Sequence, residues 1–338
     1  MKAMAGIRAV LFFRSRAGRR SCRPNWPAAM LACLPLLAAA DDYPSKNITV
    51  IVPFAAGGGT DMFARVIGQG ITKTSARNVI IDNRSGGGGT IGTAMAAAAA
   101  PDGYTLLYSA SSIMNHNTLY PKLSYDVERD FLTVSRPVMI PFVLAVHPSL
   151  PAANVKQLIA LARARPGQLN YGGTGAGSQG SLSIELMKQH TGTNMVFVPY
   201  RGAGPVMNAV VSGEVGFAML VTPLARPHLD NGKLRVLAVT SKDRISLLPQ
   251  VPTMAESGLP GFEAVQWHGM FAPAKTPDAI VKWLHANIRG TMQQPQTKEF
   301  FAREGAEPVD ESSQDFAKFL RAEIAKWRDI IRRAGIKN

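Results

Sequence analysis

Cysteine is nearly absent from this chain of 338 residues, and its only two cysteines, Cys22 and Cys33, lie within the first 40 positions. A chain that begins after them has no thiol for a disulfide, a thiolate nucleophile or a zinc–thiolate site. Aromatic residues make up 7% and charged residues 18% of the sequence, whereas 46% is hydrophobic. This composition excludes a disordered polymer and a disulfide-stapled miniprotein, and the length suffices for two domains with full cores.

Clusters of basic residues are also absent after position 40. Seven Lys and Arg and no acidic residue precede Asp41, so the remainder carries 30 basic against 23 acidic residues. Such a dispersed surplus fits a face or cleft that favours anions and does not indicate nucleic-acid binding. We therefore expect no nucleic-acid partner.

The first 40 residues have the order of a secretory signal. Basic residues between Lys2 and Arg23 precede an apolar stretch, residues 27–40, which ends in three alanines before Asp41. Small residues at such positions favour cleavage. About 13 apolar residues fall short of the ~20 that a membrane-spanning helix needs. We therefore predict that residues 1–40 are a signal peptide and that the chain is exported.

Short β-branched runs alternate with helical patterns in the rest of the chain. Most are too short for helices and are followed by a glycine-rich turn and an amphipathic stretch, which is typical of parallel βαβ units. The predicted strands are residues 48–54, 79–82, 105–108, 169–171, 195–199, 215–220 and 234–239. Near the C-terminus, Ser312 and Asp315 form a capping box that predicts the start of a long helix.

Two longer extended segments, residues 137–148 and 263–273, stand apart from this alternation. Strands that pass from one sheet to another would have this appearance. We therefore predict an α/β protein with two lobes joined by two crossings, the first lobe comprising residues 41–141 plus 268–338 and the second residues 142–267. A single large α/β sheet is the alternative.

Four strand ends open into small-residue turns, at residues 53–61, 83–90, 171–178 and 200–205. Turns without side chains let a ligand approach backbone N–H groups, and the helix that follows adds its partial positive charge. In open α/β sheets, ligands bind beyond the carboxyl ends of the strands, where these turns lie. One such turn would indicate only tight chain reversal, but four favour a cleft that binds carboxylate or phosphate.

Two sharper motifs overlap in the third turn. Residues 175–180 match the dinucleotide pattern G-x-G-x-x-G, but the next strand ends in Tyr200 and Arg201 rather than in the required acid. The segment around Ser178 resembles the nucleophile elbow of a hydrolase, although no histidine stands in a recognisable triad context and Ser178 also suits a helix N-cap. An exported serine hydrolase using Ser178 is therefore the alternative function. We expect no cofactor and no metal, because the P-loop lysine and histidine pairs at metal spacing are missing.

Motifs in a specific order cover nearly the whole chain after residue 42, among them YPSK at 43–46, VPFAAGG at 52–58, PDGYTL at 101–106, VPYRG at 198–202 and PQVPT at 249–253. In these the chain resembles the Bug receptors, the periplasmic substrate-binding proteins of tripartite tricarboxylate transporters. The resemblance implies a type II-like periplasmic binding protein with two Rossmann-like lobes, which closes on a small carboxylate and delivers it to membrane permease subunits. It also implies a non-enzymatic, periplasmic protein, which we expect to be a monomer.

In the family, the loop after the first strand and the loop that opens the second lobe grip the ligand carboxylate, and these map to residues 54–61 and 174–178. We predict backbone amides and hydroxyls as donors, with Phe54 and Trp267 as apolar walls or core residues, and Arg201 as a bidentate partner or a solvated charge. Asp61 is expected to cap its helix and orient the loop. The predicted binding residues are Phe54, Ala55, Ala56, Gly57, Gly58, Gly59, Thr60, Asp61, Ser111, Thr174, Gly175, Gly177, Ser178, Tyr200, Arg201, Thr222 and Trp267.

Two departures from the family bear on the choice of ligand. Many relatives carry a histidine near the position of Gln179, and some place an acid that could meet an ammonium where this chain has Leu220. The sequence therefore favours a simple or aromatic carboxylate over an amino acid.

Overall fold

The β-branched runs form strands in the computed structural model, which describes residues 43–336, so that the predicted signal peptide lies outside the described residues. All seven predicted short strands are confirmed, and so is the extended conformation of both longer segments. The strands are β1 (Ile48–Val52), β2 (Val79–Asn83), β3 (Thr105–Ala110), β4 (Phe131–Val146), β5 (Asn170–Gly173), β6 (Val196–Pro199), β7 (Phe217–Val221), β8 (Arg235–Val239), β9 (Val265–Pro273) and β10 (Glu307–Pro308).

Helices follow most of the strands and cover the sheet. They are α1 (Gly59–Ser75), α2 (Thr90–Ala97), α3 (His116–Leu119), α4 (Val127–Asp130), α5 (Val155–Ala164), α6 (Gln179–Thr191), α7 (Ala203–Ser212), α8 (Thr222–Asp230), α9 (Asp278–Met292), α10 (Pro295–Arg303) and α11 (Ser313–Arg333). Short 3₁₀ helices span Gly87–Gly89 and Ser111–Asn115. None of the helices within residues 43–336 is both long enough and apolar enough to cross a membrane.

One long strand, β4, joins two half-sheets. In the first, the order is β2-β1-β3-β9-β4, with β10 also pairing β4, and in the second it is β6-β5-β7-β4-β8. The pairs of β1 with β2 and β3, and of β5 with β6 and β7, are parallel. Along β4, Pro141 pairs with Val265 of β9 and Phe142 pairs with Val221 of β7, so the strand changes partners between these two residues.

Helix α11 illustrates how the sequence pattern becomes packing. Its N-cap is Ser312, whose Oγ accepts a hydrogen bond of 3.0 Å from the N–H of Asp315, as the capping box predicts. The buried face includes Phe316 and Trp327, both fully buried. Burying one such side chain stabilises the fold by roughly 1.5–3 kcal/mol. Helix α11 also contacts α6, where Gln189 Nε2 donates to the carbonyl of Ile330 at 3.0 Å.

The carboxyl ends of β1, β5 and β6 open into turns that lead into α1, α6 and α7, and β7 leads directly into α8. Because β5, β6 and β7 run parallel in one half-sheet, their helices begin at the same edge. The helix N-termini of the second half-sheet are therefore brought together, and the site is built there.

Candidate ligand-binding site

A pocket of about 130 Å³ lies at the carboxyl ends of β5 and β7 in the second half-sheet. Its lining combines small polar residues at helix starts with apolar residues at strand ends. The lining residues are Phe142, Gly173, Thr174, Ser178, Gln179, Gly180, Ser181, Ala203, Val206, Met219, Leu220, Val221 and Gln266. Thr174 and Ser178 are the predicted binding residues that the structure brings into this lining.

Three helices begin at the pocket. Gln179 is the first residue of α6, Ala203 the first residue of α7, and Val221 the N-cap of α8, and all three line the pocket. The first N–H groups of a helix have no intrahelical partner and carry a partial positive charge. None of the lining residues in the described part of the chain is charged. The electrostatics of the pocket therefore favour an anion held by dipoles rather than by a cation.

Ser178 serves as the N-cap of α6. Its Oγ accepts a hydrogen bond of 3.4 Å from the N–H of Ser181 and lies 2.9 Å from the hydroxyl oxygen of the same residue. Among residues 43–336, no histidine is hydrogen-bonded to this hydroxyl; His190 instead contacts the carbonyl of Leu186. The hydrolase alternative is therefore not supported.

The opposite wall of the pocket is apolar. Phe142, Val206, Met219 and Leu220 are all buried and line it. Leu220 presents hydrocarbon to the pocket, and none of the lining residues that the structure describes is acidic. A wall of this kind suits the carbon chain or ring of a carboxylate.

Sequence reasoning missed Gln266, a pocket-lining residue that belongs to β9. Its Nε2 donates to Nε2 of His268 at 3.2 Å, and Thr60 Oγ1 lies 3.5 Å from the same ring nitrogen. His268 is fully buried, and burial lowers its pKa to about 3, so the ring is neutral near pH 7. A polar chain thus joins the start of α1 to the pocket. The signal was present as two polar residues at spacing two in an otherwise apolar strand.

The first turn (residues 53–58), between β1 and α1, is held by Asp61. Its Oδ2 accepts from the N–H of Gly57 at 2.9 Å and from Arg65 Nε at 2.9 Å, and its Oδ1 accepts from Asn83 Nδ2 at 3.0 Å. Asn83 also donates to the carbonyl of Phe54. Burial raises the pKa of Asp61, but these hydrogen bonds together outweigh burial and hold the pKa below its ordinary value.

The residues of the first turn have roles that the sequence did not resolve. The N-cap of α1 is Gly58, so Asp61 is not the cap and instead orients the loop from the third helical position. The N–H groups of Gly57 and Gly58 already bond to Asp61 and to the carbonyl of Ala55. Phe54 is half-buried, and residues 55–59 are exposed.

Two predicted residues at the end of β6 are outside the pocket lining. Tyr200 donates from its hydroxyl to Glu214 at 2.8 Å. Desolvation and the neighbouring Glu214 carboxylate raise the pKa of Tyr200 to about 12. Arg201 is exposed. Both belong to the turn before α7, whose first residue reaches the pocket.

Three other predicted residues are buried and also outside the lining. Thr222, fully buried, donates to the carbonyl of Pro141 at 3.1 Å, which ties the start of α8 to β4. Trp267 is fully buried and packs edge-on against Phe316 of α11. Ser111 is 1% exposed at the start of a 3₁₀ helix. Within residues 43–336, no cluster of three or more His, Cys, Asp or Glu side chains is placed to hold a metal ion.

Two α/β half-sheets sharing a strand, with an uncharged pocket at converging helix N-termini, define the class of two-lobed binding proteins. Residues 63–336 match the family model described as "Tripartite tricarboxylate transporter family receptor", and the chain belongs to this family. The expected resemblance is confirmed, and the chain is therefore a carboxylate-binding receptor. The family consists of periplasmic receptors rather than enzymes.

Known relatives and solved structures agree with this assignment. BugT of Bordetella pertussis is 38% identical over 301 residues, which cover 88% of this chain and 92% of BugT. The structure of Rhodopseudomonas palustris Rpa4515 with adipate is 37% identical with a TM-score of 0.76, covering 88% of this chain and 100% of that one. MatC from the same organism, with bound malate, is 32% identical with a TM-score of 0.72 and coverages of 86% and 100%. The two-lobed fold is confirmed by these likenesses.

Proposed function

We propose that this chain is a monomeric, non-enzymatic receptor that is exported with residues 1–40 as its signal peptide and captures a small carboxylate in the pocket of its second lobe. The first lobe comprises residues 41–141 plus 268–338 and the second residues 142–267, which agrees with the change of partners along β4. The loaded receptor delivers its ligand to membrane permease subunits. The convergence of three helix N-termini on a pocket without a charged side chain carries the proposal.

The energetics of the pocket suit a carboxylate. Each helix N-terminus stabilises a neighbouring anion by about 0.3–1 kcal/mol at exposed sites and by up to ~2 kcal/mol when partly buried. Three of them, with the hydroxyls of Thr174 and Ser178 as donors, offset the loss of water around one carboxylate. The positive ends of the same helix dipoles repel an ammonium group. Leu220, which lines the pocket, supplies no negative charge to offset this repulsion.

The size of the pocket limits the ligand. Its volume of about 130 Å³ is slightly below the ~150 Å³ of an engineered apolar cavity that holds benzene. A single small ring or a chain of a few carbons fits this space. The adipate and malate bound to the related Rhodopseudomonas proteins support a ligand of this order of size.

Two contacts link the first lobe to the pocket turn (residues 174–178) and to the pocket lining. Leu119 of α3 packs on Gly177, because a Cβ placed on Gly177 would lie 2.6 Å from its Cδ1. The other contact is the polar chain from Thr60 through His268 to Gln266. Closure over the ligand would bring both contacts to the cleft between the lobes. The backbone amides of residues 175–177 and of the first residues of α1 would then face that cleft.

Thermal unfolding tests the proposal. The chain from Asp41 would be heated with mono-, di-, tri- and aromatic carboxylates and with amino acids. A ligand at 100 times its dissociation constant adds ~2.7 kcal/mol to stability, which raises the melting temperature by several degrees. The increase should shrink in Thr174→Val and Ser178→Ala and persist in Ser246→Ala, a change at an exposed serine.

No increase with any carboxylate would overturn the proposal. Hydrolysis of an ester panel that disappears in Ser178→Ala would favour the hydrolase instead. For a receptor, we expect the wild type to bind carboxylate without hydrolysing any ester. Ser178→Ala should then weaken this binding without abolishing it.

A further inference from the structure

Two glutamine side chains in the pocket have hydrogen-bonding capacity that a carboxylate alone does not use. We infer that Gln179 and Gln266 recognise a hydroxyl group on the ligand, so that the substrate is a small monocarboxylate bearing a hydroxyl. The inference rests on the proposed function and names the substrate class of the same site.

Gln179 is the stronger of the two observations. It lines the pocket, its exposed fraction is 6%, and both Oε1 and Nε2 are buried without a hydrogen-bond partner. A buried amide with neither atom bonded is rare, because its desolvation is not compensated. A ligand hydroxyl can compensate both atoms, since it donates to Oε1 and accepts from Nε2. A ligand hydroxyl bonded in this way would offset the desolvation of the Gln179 amide.

Gln266 supplies a second acceptor. Its Nε2 donates to Nε2 of His268, which leaves Oε1 as the group available to the ligand. An amide oxygen repels a carboxylate oxygen but accepts from a hydroxyl. His268, held neutral by burial, positions the Gln266 amide, and Thr60 lies beside the same ring nitrogen. The pocket therefore presents amide acceptors in addition to its helix N-termini.

A second carboxylate on the ligand is disfavoured by the same lining. The donors that suit an anion are at the helix starts, whereas the remaining wall is formed by Phe142, Val206, Met219 and Leu220. A second carboxylate would find Gln179 Nε2 as its side-chain donor away from the helix starts, and hydrocarbon and amide oxygens do not offset the desolvation of a charge. A hydroxyl carries no charge and needs only the glutamine amides.

The experiment compares ligand pairs that differ only in the hydroxyl. Dissociation constants for butyrate, for 2-, 3- and 4-hydroxybutyrate and for succinate would be measured by calorimetry on the chain from Asp41. Wild type should bind one hydroxybutyrate at least about tenfold more tightly than butyrate and succinate, because a site built to bond a hydroxyl rejects the analogue that lacks it. In Gln179→Met this ratio should fall to within about threefold. The exposed Gln168→Met is the matched control and should retain the wild-type ratio.

A second readout separates recognition from structural damage. Gln179→Met removes an uncompensated amide, so its melting temperature without ligand should equal or exceed that of wild type. If that variant does not fold, Gln266→Met supplies the same comparison of ratios. Carboxylate binding with a ratio that neither variant changes, or tighter binding of succinate than of every hydroxybutyrate, would overturn the inference and leave the proposed function intact. Failure of all carboxylates to bind would overturn both.

Discussion

The first turn (residues 53–58) and the pocket turn (residues 174–178) both follow a strand end and lead through glycines into a helix, but they are held by different forces. The first turn is fixed by Asp61, a buried carboxylate that bonds to Gly57, Arg65 and Asn83. The pocket turn is fixed by the Ser178 cap on α6 and by Leu119, which packs on Gly177. The similar sequence pattern thus yields one charge-organised turn and one uncharged turn.

The difference bears on function. The N–H of Gly57 already bonds to the Asp61 carboxylate, whose negative charge is paired with Arg65. The pocket turn has no charge, so its helix dipole remains available to an anion. Under the proposed function, we therefore expect the pocket turn to contact the ligand carboxylate, while binding by residues 54–61 stays a prediction.

Removal of Asp61 should have the largest effect on stability. Asp61→Ala removes the acceptor of the Gly57 N–H and one of the two acceptors of the Asn83 amide. We expect a loss of about 2–3 kcal/mol in unfolding free energy, less than for a fully buried pair because Arg65 is 47% exposed. Denaturant unfolding measures this loss. Asp278→Ala is the matched control, since Asp278 also opens a helix and pairs with Lys282 four residues on, but is 77% exposed. The loss of unfolding free energy in Asp278→Ala should stay within about 0.5 kcal/mol. Equal losses in Asp61→Ala and Asp278→Ala would contradict the role of Asp61 in holding the first turn.

The contribution of Asp61 also depends on pH. The pKa of Asp61 in the folded state lies below the ordinary value for aspartate. Its stabilising contribution is therefore complete above that ordinary value and is lost as the pH falls through the folded-state pKa. The gap in unfolding free energy between wild type and Asp61→Asn should therefore narrow below about pH 4. A gap that widened on acidification would contradict the assignment.

A methyl group should distinguish the two turns by its steric effect. In Gly173→Ala, just before the pocket turn, the new Cβ would lie 2.0 Å from Ser181 Oγ and 2.9 Å from Phe197 Cε2. We expect a loss of about 2 kcal/mol from overpacking and a loss of carboxylate binding, measured by thermal unfolding with and without ligand. In Gly59→Ala the Cβ meets nothing within 4 Å, and alanine suits the helix, so stability should rise by up to about 0.5 kcal/mol. Comparable losses of unfolding free energy in Gly173→Ala and Gly59→Ala would contradict this steric explanation.

Exchange of the helix caps should have the smallest effect. Ser178→Ala removes the side-chain cap of α6 and should cost about 1 kcal/mol in unfolding free energy. Gly58→Ser adds a capping hydroxyl to α1, whose N-cap has φ −77° and ψ 165°, a conformation that serine adopts freely. That variant should gain about 0.3 kcal/mol. Chemical unfolding checks both changes, and a destabilised Gly58→Ser would show that the first turn has no room for a second cap.

The strands and helix starts were predictable because their signals are local. β-Branched runs between turns correctly predicted the strands, and the Ser312 capping box correctly predicted the start of α11. The turn around Ser178 also correctly indicated a helix N-cap beside the pocket, since a serine at a strand–helix junction has few other roles. These features depend on neighbours within a few residues.

The role of Asp61 was not predictable in the same way. Its partner Asn83 ends β2, and the parallel register places Asn83 opposite Val52, directly before the first turn. Only this pairing brings the Asn83 amide to Asp61. The sequence indicated that Asp61 caps its helix and orients the loop; the cap is Gly58 instead, and the strand register supplies the Asn83 amide through which Asp61 holds the loop.

The sequence by itself determined the strands, the glycine turns, the starts of α6 and α11 and, through the order of its motifs, the family. The tertiary structure alone decided which turns share a pocket, that Gln266 and His268 of β9 connect Thr60 to it, and that Trp267 packs under α11. The physical reason is the distance along the chain over which each kind of interaction acts. Backbone preference and capping depend on adjacent residues, whereas a binding site depends on which distant strand ends the sheet register and the helix packing bring within hydrogen-bond distance.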